Sequence, residues 1–223
     1  MKRRIIRFLI AGVLIVAIAA VPVLAAGITP FTDIEMWAKE YIETAYKYGY
    51  VTGVTETRFE PDAPMTRAMA ITVLYKHAQK ILGDSPPIKD ESEMPFTDVK
   101  PGSYYYDAVV WAYGSYITDG TSKTTFSPDE PLRRQDCAKF LYSEKNYYSG
   151  LDDSGLSVDF PHPEIPETFI DRDDVSYYAI NSVRYALGQN IMSGKSEFIL
   201  DPQGAMTRAE AIKMIFYNFK PQD

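Results

Sequence analysis

Three arginines, Arg67, Arg134 and Arg208, recur at one place in three versions of a single phrase: MTRAMAI at 65–71, LRRQDCA at 132–138 and MTRAEAI at 206–212. A guanidinium presents a planar fork of donors that matches a carboxylate in two-point geometry. Each phrase follows a proline-bearing or proline-rich turn, FEPDAP, FSPDEP or LDPQGA, and opens a stretch of apolar residues at helical spacing. Each therefore reads as a helix start, where amides lack an intrahelical partner and the dipole is positive. Such a place can hold an anion. The alternative for each arginine is an ion pair with an acid of its own repeat, Glu60 or Asp62 for Arg67 and Asp129 or Glu130 for Arg134. A surface pair of that kind contributes ~0–1 kcal/mol, which does not by itself account for three arginines in register.

The elements that must position these groups repeat as well. The phrases begin 67 and then 74 residues apart, and the flanking residues stay in step. Upstream lie FTD at 31–33, FTD at 96–98 and FID at 169–171, which place Asp33, Asp98 and Asp171 in register. An aromatic follows in each copy, Trp37, Tyr104 and Tyr178, opening an amphipathic segment in which Ile42, Val109 and Val183 are equivalent. That segment closes on a turn with Gly53, Gly120 and Gly194, suited to tight backbone geometry. The expected fold is mainly α, three tandem helix-loop-helix repeats. In the second helices Ile71, Leu74, Tyr75 and Ala78, and likewise Ile212, Ile215, Phe216 and Phe219, share one face. Two helices cannot close a core around such stripes, so the second helices are expected to meet at a shared axis with the first helices outside.

The boundaries follow from composition. Residues 1–26 have basic Lys2, Arg3, Arg4 and Arg7 ahead of an apolar run that ends on Ala25 and Ala26, the layout of a secretory signal. An uncleaved anchor is the competing reading, and would be the only contact with a membrane. Repeats then occupy 27–83, 96–148 and 169–223, with an exposed linker at 84–95 and a longer loop at 149–168. Loss of the leader removes four basic residues and no acids, leaving 19 basic against 30 acidic residues, a formal charge of -11. Such a surface disfavours nucleic acid and demands a local basic site for any anionic ligand. The single cysteine, Cys137, reads as a small buried residue, and the two histidines, His77 and His162, fall in different repeats.

With their flanks, these residues resemble the S-layer homology domains of bacterial envelope proteins, across about 190 residues. The shared pattern is F-x-D, an aromatic opening the first helix, a glycine turn, F-x-P-D and then T-R-A-E. The resemblance implies a pseudo-threefold, three-pronged spindle around a central three-helix bundle. It also implies non-covalent attachment to an anionic, often pyruvylated, cell-wall polysaccharide in grooves between repeats, on a secreted, wall-bound protein. No Ser-His-Asp, Cys-His or zinc-ligand spacing appears, so neither an enzyme nor a cofactor is expected. The family's groove positions fall on Arg67, Arg134, Arg208, on Trp37, Tyr104, Tyr178, on Asp33, Asp98, Asp171, and near Gly53, Gly120, Gly194. Chemistry supports these types: a ring gives a sugar's apolar face a flat surface, and an aspartate accepts from hydroxyls.

Departures from the pattern bear on which grooves work. Arg133 and Asp136 replace threonine and glutamate in the second repeat, removing its capping box; Met69 replaces the glutamate of the first; Tyr104 and Tyr178 replace tryptophan; Leu200 replaces phenylalanine. Only Thr207 and Glu210 keep the full box. Two competent grooves are expected, and Arg67→Ala with Arg208→Ala is expected to abolish binding without moving the thermal midpoint. Structural roles compete at each position: Phe31, Phe96 and Phe169 as core plugs, the aspartates as turn caps, the glycines as backbone hinges. The acids at 171–174 are interrupted by Arg172 and lack a calcium loop's glycine and terminal glutamate, so no metal is expected. The alternative function is an adaptor or self-assembling layer component with an unknown protein partner. A glycan hydrolase acting through paired aspartates ranks behind both.

Overall fold

The computed structural model describes residues 29–88, 90, 93–150 and 163–219. The expected leader at 1–26, and most of the 149–168 loop with His162, lie outside the described residues. Six α-helices are present: α1 Met36–Lys47, α2 Arg67–Leu82, α3 Tyr106–Gly114, α4 Arg134–Ser149, α5 Ile180–Gly188 and α6 Arg208–Phe219. Short 3-10 turns at Arg172–Asp174 and Tyr177–Ala179 precede α5. Tyr104 and Tyr178 therefore sit just before their helices, whereas Trp37 lies inside α1. No sheet forms among the described residues.

The first helices end alike. Gly49, Tyr116 and Asn190 adopt positive φ of 76°, 59° and 56°, and the next amide returns five residues, from Tyr50 to Ala45, Ile117 to Ala112 and Ile191 to Ala186. This is the Schellman termination, which satisfies otherwise orphaned carbonyls and throws the chain off the helix. Ile42, Val109 and Val183, equivalent in sequence, are each fully buried. On the second helices Ile71, Leu74, Ile212 and Ile215 are buried, as the spacing requires. Cys137 is buried too, and desolvation pushes its thiol pKa up to about 12, leaving a small apolar core residue.

The helices pack in a cycle. Each first helix lies on the second helix of the repeat before it: α3 on α2, α5 on α4 and α1 on α6. The second helices also touch, α2 against α4 and α4 against α6, while His77 of α2 stacks on Phe219 of α6 with centroids 3.4 Å apart. The connection at 84–95, exposed at Asp84, Ser85, Pro87, Glu93 and Pro95, is nonetheless held at points. Pro86 is buried, the Pro87 carbonyl accepts from Tyr147, and the Asp90 amide donates to Gly114, so this segment is pinned onto α3 and α4.

Candidate functional site: clefts at the seams between repeats

Just ahead of the second helices the three repeats join in a closed ring. Leu132 donates its amide to Met65, Met206 donates to Leu132, and Met65 donates to Met206, at 2.7, 2.9 and 3.0 Å. The flanking bridges pair Thr66 with Pro131, Arg133 with Ala205 and Thr207 with Pro64. The ring corrects one sequence expectation. The first two amides of each helix lack intrahelical partners but are already taken by the neighbouring proline turn: Arg67 and Ala68 by Glu130 and Pro128, Arg134 and Gln135 by Gly204 and Pro202, Arg208 and Ala209 by Ala63 and Pro61. Helix starts that bond a neighbouring repeat are not open anion sites.

The aspartates clamp the turns of their own repeats. Asp33 accepts the amides of Phe59 and Glu60, Asp98 those of Phe126 and Ser127, and Asp171 those of Leu200 and Asp201, all at 2.7–2.9 Å. Glu60, Ser127 and Asp201 each hold positive φ, 58°, 58° and 55°, a conformation the paired bonds secure. Burial alone would raise the pKa of Asp33 and Asp171, but the two amides outweigh it and pull both below the usual carboxylate range. The glycines answer to packing: a Cβ at Gly53, Gly120 or Gly194 would come within 2.4–2.5 Å of the Phe31, Phe96 or Phe169 ring.

Each arginine reaches into the next repeat and grips the same turn from the other side. Arg67 Nε donates to the Phe126 carbonyl, Arg134 Nε to Leu200 and Arg208 Nε to Phe59, at 2.9–3.1 Å. One loop residue thus gives its amide to its own aspartate and its carbonyl to a neighbour's arginine, three times around the cycle. The acids foreseen from sequence as partners are not used. Arg67 is only 3% exposed and pairs with Asp136 of the second repeat at 3.4 Å. Arg134 also donates to the Ser193 carbonyl, and half-buried Arg208 to Thr52. Burial lowers the pKa of all three, against the pull of nearby carboxylates.

These groups border three clefts, and every cleft draws on all three repeats. The first, about 140 Å³, is lined by Thr52, Met69 and Lys76 of repeat 1, Tyr104 of repeat 2 and Arg208 of repeat 3. The second, about 270 Å³, takes Gly120, Asp136 and Lys139 from repeat 2, Tyr178 from repeat 3 and Arg67 from repeat 1. The third, about 480 Å³, takes Gly194, Lys195, Glu210 and Lys213 from repeat 3, Trp37 from repeat 1 and Arg134 from repeat 2. The aromatics stand at the rims, Trp37 at 44%, Tyr178 at 49% and Tyr104 at 67% exposure. Arginine and aromatic are thus brought together in all three clefts, Gly120 and Gly194 line the second and third while Gly53 does not line the first, and Asp33, Asp98 and Asp171 act as clamps on the turns.

Sequence reasoning missed the lysines. Lys213 holds its ammonium 5.7 Å over the Trp37 ring, and Lys195 pairs with Glu210. Glu210 also accepts the Thr207 amide while Thr207 accepts the Glu210 amide, the capping box its sequence forecast. Lys139 and Lys213 occupy equivalent positions, the only advance signal. Lys195 carried none.

Three helix-loop-helix repeats, joined head to tail in a cycle with clefts at their seams, define a helical tandem-repeat module. Residues 30–70, 95–138 and 168–212 each match the S-layer homology domain, and the chain belongs to that family. It is 28% identical over 188 residues to an amylopullulanase of Thermoanaerobacterium thermosulfurigenes, covering 83% of this chain and 9% of that protein. It is likewise 28% identical over 188 residues to the exoglucanase XynX of Acetivibrio thermocellus, 83% of this chain and 16% of that one. A surface-layer 125 kDa protein of Lysinibacillus sphaericus is 32% identical over 128 residues, 57% of this chain and 10% of that protein. The chain spans less than a fifth of the length of these relatives. Among the described residues no helix is long and apolar enough to cross a membrane.

Proposed function

We propose that this chain anchors non-covalently to an anionic cell-wall polysaccharide, pyruvylated or otherwise acid-bearing, with residues 1–26 as the leader that exports it to the bacterial surface. It works as a binder and not as a catalyst. The cyclic helix packing supports reading the module as a three-pronged spindle around the second helices. The observation that carries the reading is the third cleft, where a tryptophan face, a buried arginine and two lysines from three repeats surround about 480 Å³, within the ~300–1,000 Å³ of small-molecule sites. Lys195 and Lys213 supply the local basic site that the acidic remainder requires. The first cleft is smaller but pairs Arg208 and Lys76 with no lining carboxylate, which makes it the second contact on the same rigid body.

Purified wall sacculi test the reading. Binding is expected before, and not after, chemical removal of the attached polymer, and equal retention on stripped walls would sink it. A second reading, an adaptor or self-assembling layer component, rests on one feature of repeat 3. Ile170 and Phe198, 77% and 53% exposed, stand where the other repeats have Thr32 with Thr57 and Thr97 with Thr124. If it holds, light scattering shows association that Phe198→Thr abolishes.

A further inference from the structure

The second cleft differs from the others in a concerted way. Three departures of the second repeat's phrase, Arg133, Gln135 and Asp136, turn to one spot. Asp136 accepts from Arg133 Nε at 2.9 Å and Nη2 at 3.4 Å, from Arg67 Nη1 at 3.4 Å, and from the Tyr178 hydroxyl at 2.5 Å. That hydroxyl in turn accepts from Arg133 and from Gln135, each at 3.0 Å. Gln135 is fully buried and also holds Ser176 through its amide and hydroxyl. Where the second repeat has Arg133, Gln135 and Asp136, the third has Thr207, Ala209 and Glu210, and the first Thr66, Ala68 and Met69.

We propose that the Asp136 carboxylate is an internal occupant of the second cleft, standing where the acidic group of a bound saccharide would lodge and closing that cleft to the polymer. The inference rests on the anchoring reading for what is kept out. The internal geometry stands apart from it. A fork from one arginine, a donor from a second and a tyrosine hydroxyl form the set that would capture a free carboxylate, and here it is spent on a side chain only 4% exposed. The equivalent position in the first cleft is Met69, which brings no charge. In the third, Glu210 bonds back to its own cap amide and to Lys195, while Arg134 donates to the Leu200 and Ser193 carbonyls. Of the three clefts, the second is the one whose carboxylate is forked by an arginine, and this gives a physical reason for two competent clefts instead of three.

Removing the occupant should leave a vacancy that a small carboxylate can fill. Asp136→Ala is expected to melt below wild type, and sodium acetate is expected to restore its midpoint dose by dose where sodium chloride at equal ionic strength does not. Wild type should respond to both salts alike. Asp136→Asn keeps the space filled and should show no acetate-specific recovery. If acetate and chloride act equally on Asp136→Ala, or if that variant stays unfolded in both, the occupant idea fails. Titration with wall-polymer fragments then carries the functional half: Asp136→Ala should bind one site more than wild type, and an unchanged stoichiometry beside acetate recovery would show that the cleft is no saccharide site. Failure of wild type to bind walls at all overturns the anchoring reading instead, and leaves the acetate result standing by itself.

Discussion

The two ends of the second helices are held together by different means. At their starts, the ring through Met65, Leu132 and Met206 and the arginine grip on Phe126, Leu200 and Phe59 are the same three times over. At the far end the equivalent positions are His77, Glu144 and Asn218, and each does something else. His77 is stacked on Phe219 and faces Glu144 at 3.2 Å; Glu144 is 1% exposed and also accepts from Tyr148; Asn218 faces the Tyr185 hydroxyl. A backbone amide carries both a donor and an acceptor, so identical segments can close a ring. A ring of like charged side chains cannot: three glutamates at one level would repel, whereas an imidazole and a carboxylate can pair. Repetition therefore survives where at least one partner of the joint is backbone and breaks down where both are side chains.

The sharpest way to break the repeating end is Arg67→Ala. It removes a cation from a pair in which both side chains are nearly inaccessible, 4% and 6% exposed, and strips a bond from Phe126. Asp136 keeps Arg133 and the Tyr178 hydroxyl, so the loss should fall at the low end of a broken buried pair, about 3 kcal/mol, on the order of 10 °C in midpoint for a chain of this size. Arg208→Ala, whose partners are carbonyls at a half-exposed site, should cost only about 1–2 kcal/mol. This replaces the sequence-level expectation that the double variant melts normally: binding measured on it would report unfolding. Equal midpoints for the two single variants in thermal melts would refute the distinction.

Next in size is the glycine turn. At Gly53 a Cβ would lie 2.3 Å from the Thr55 carbonyl oxygen and 2.4 Å from the Phe31 ring, so Gly53→Ala must shift backbone as well as side chain. Such overpacking costs about 1–3 kcal/mol, readable in urea unfolding.

The repeated joints explain what was legible in sequence. Spacing alone gave the six helices, the buried faces and the capping box of Thr207 and Glu210, because these depend on local pattern. It also singled out the arginines, aspartates and glycines. What it could not give was direction. Arg67 passes over Glu60 and Asp62 to reach Asp136, 69 residues on, and Asp33 binds amides 26 and 27 residues away. Those partners follow from the cyclic packing, where a residue's neighbour belongs to another repeat. Lys195 was invisible for the same reason, since its role depends on the cleft that Trp37 closes from the far end of the chain.

At the unlike end, Glu144→Gln tests what a side-chain joint costs. Burial raises the Glu144 pKa above its ordinary value, against the opposing pull of His77 and Tyr148, and among the described residues no donor reaches Oε2. A raised pKa means the fold prefers the protonated acid. Its contribution is fully present below the unfolded pKa of about 4.3 and is lost as pH rises through the folded value. Asp33 and Asp171 have the opposite sign, with stability present above about 3.9 and lost on acidification, so the range above pH ~4 isolates Glu144. The midpoint of Glu144→Gln relative to wild type should therefore climb by a few degrees between pH ~4 and ~8. A constant difference would mean that the carboxyl does not titrate in that range.

The smallest effect on stability belongs to Lys213, and it separates the fold from the function. Lys213 is exposed on α6 with its ammonium over Trp37, so Lys213→Ala should stay within about 0.5 kcal/mol of wild type in unfolding. Wall binding should fall nonetheless, because an acidic saccharide in the third cleft loses one of two lysines and the tryptophan loses the cation over its ring. Restoring charge with Lys213→Arg should recover most of the loss, whereas Lys213→Glu should deepen it and make the residual binding less sensitive to salt. If all three variants hold wild-type affinity on sacculi, the third cleft is not where the polymer sits, and the first cleft, with Arg208 and Lys76, becomes the remaining basic seam.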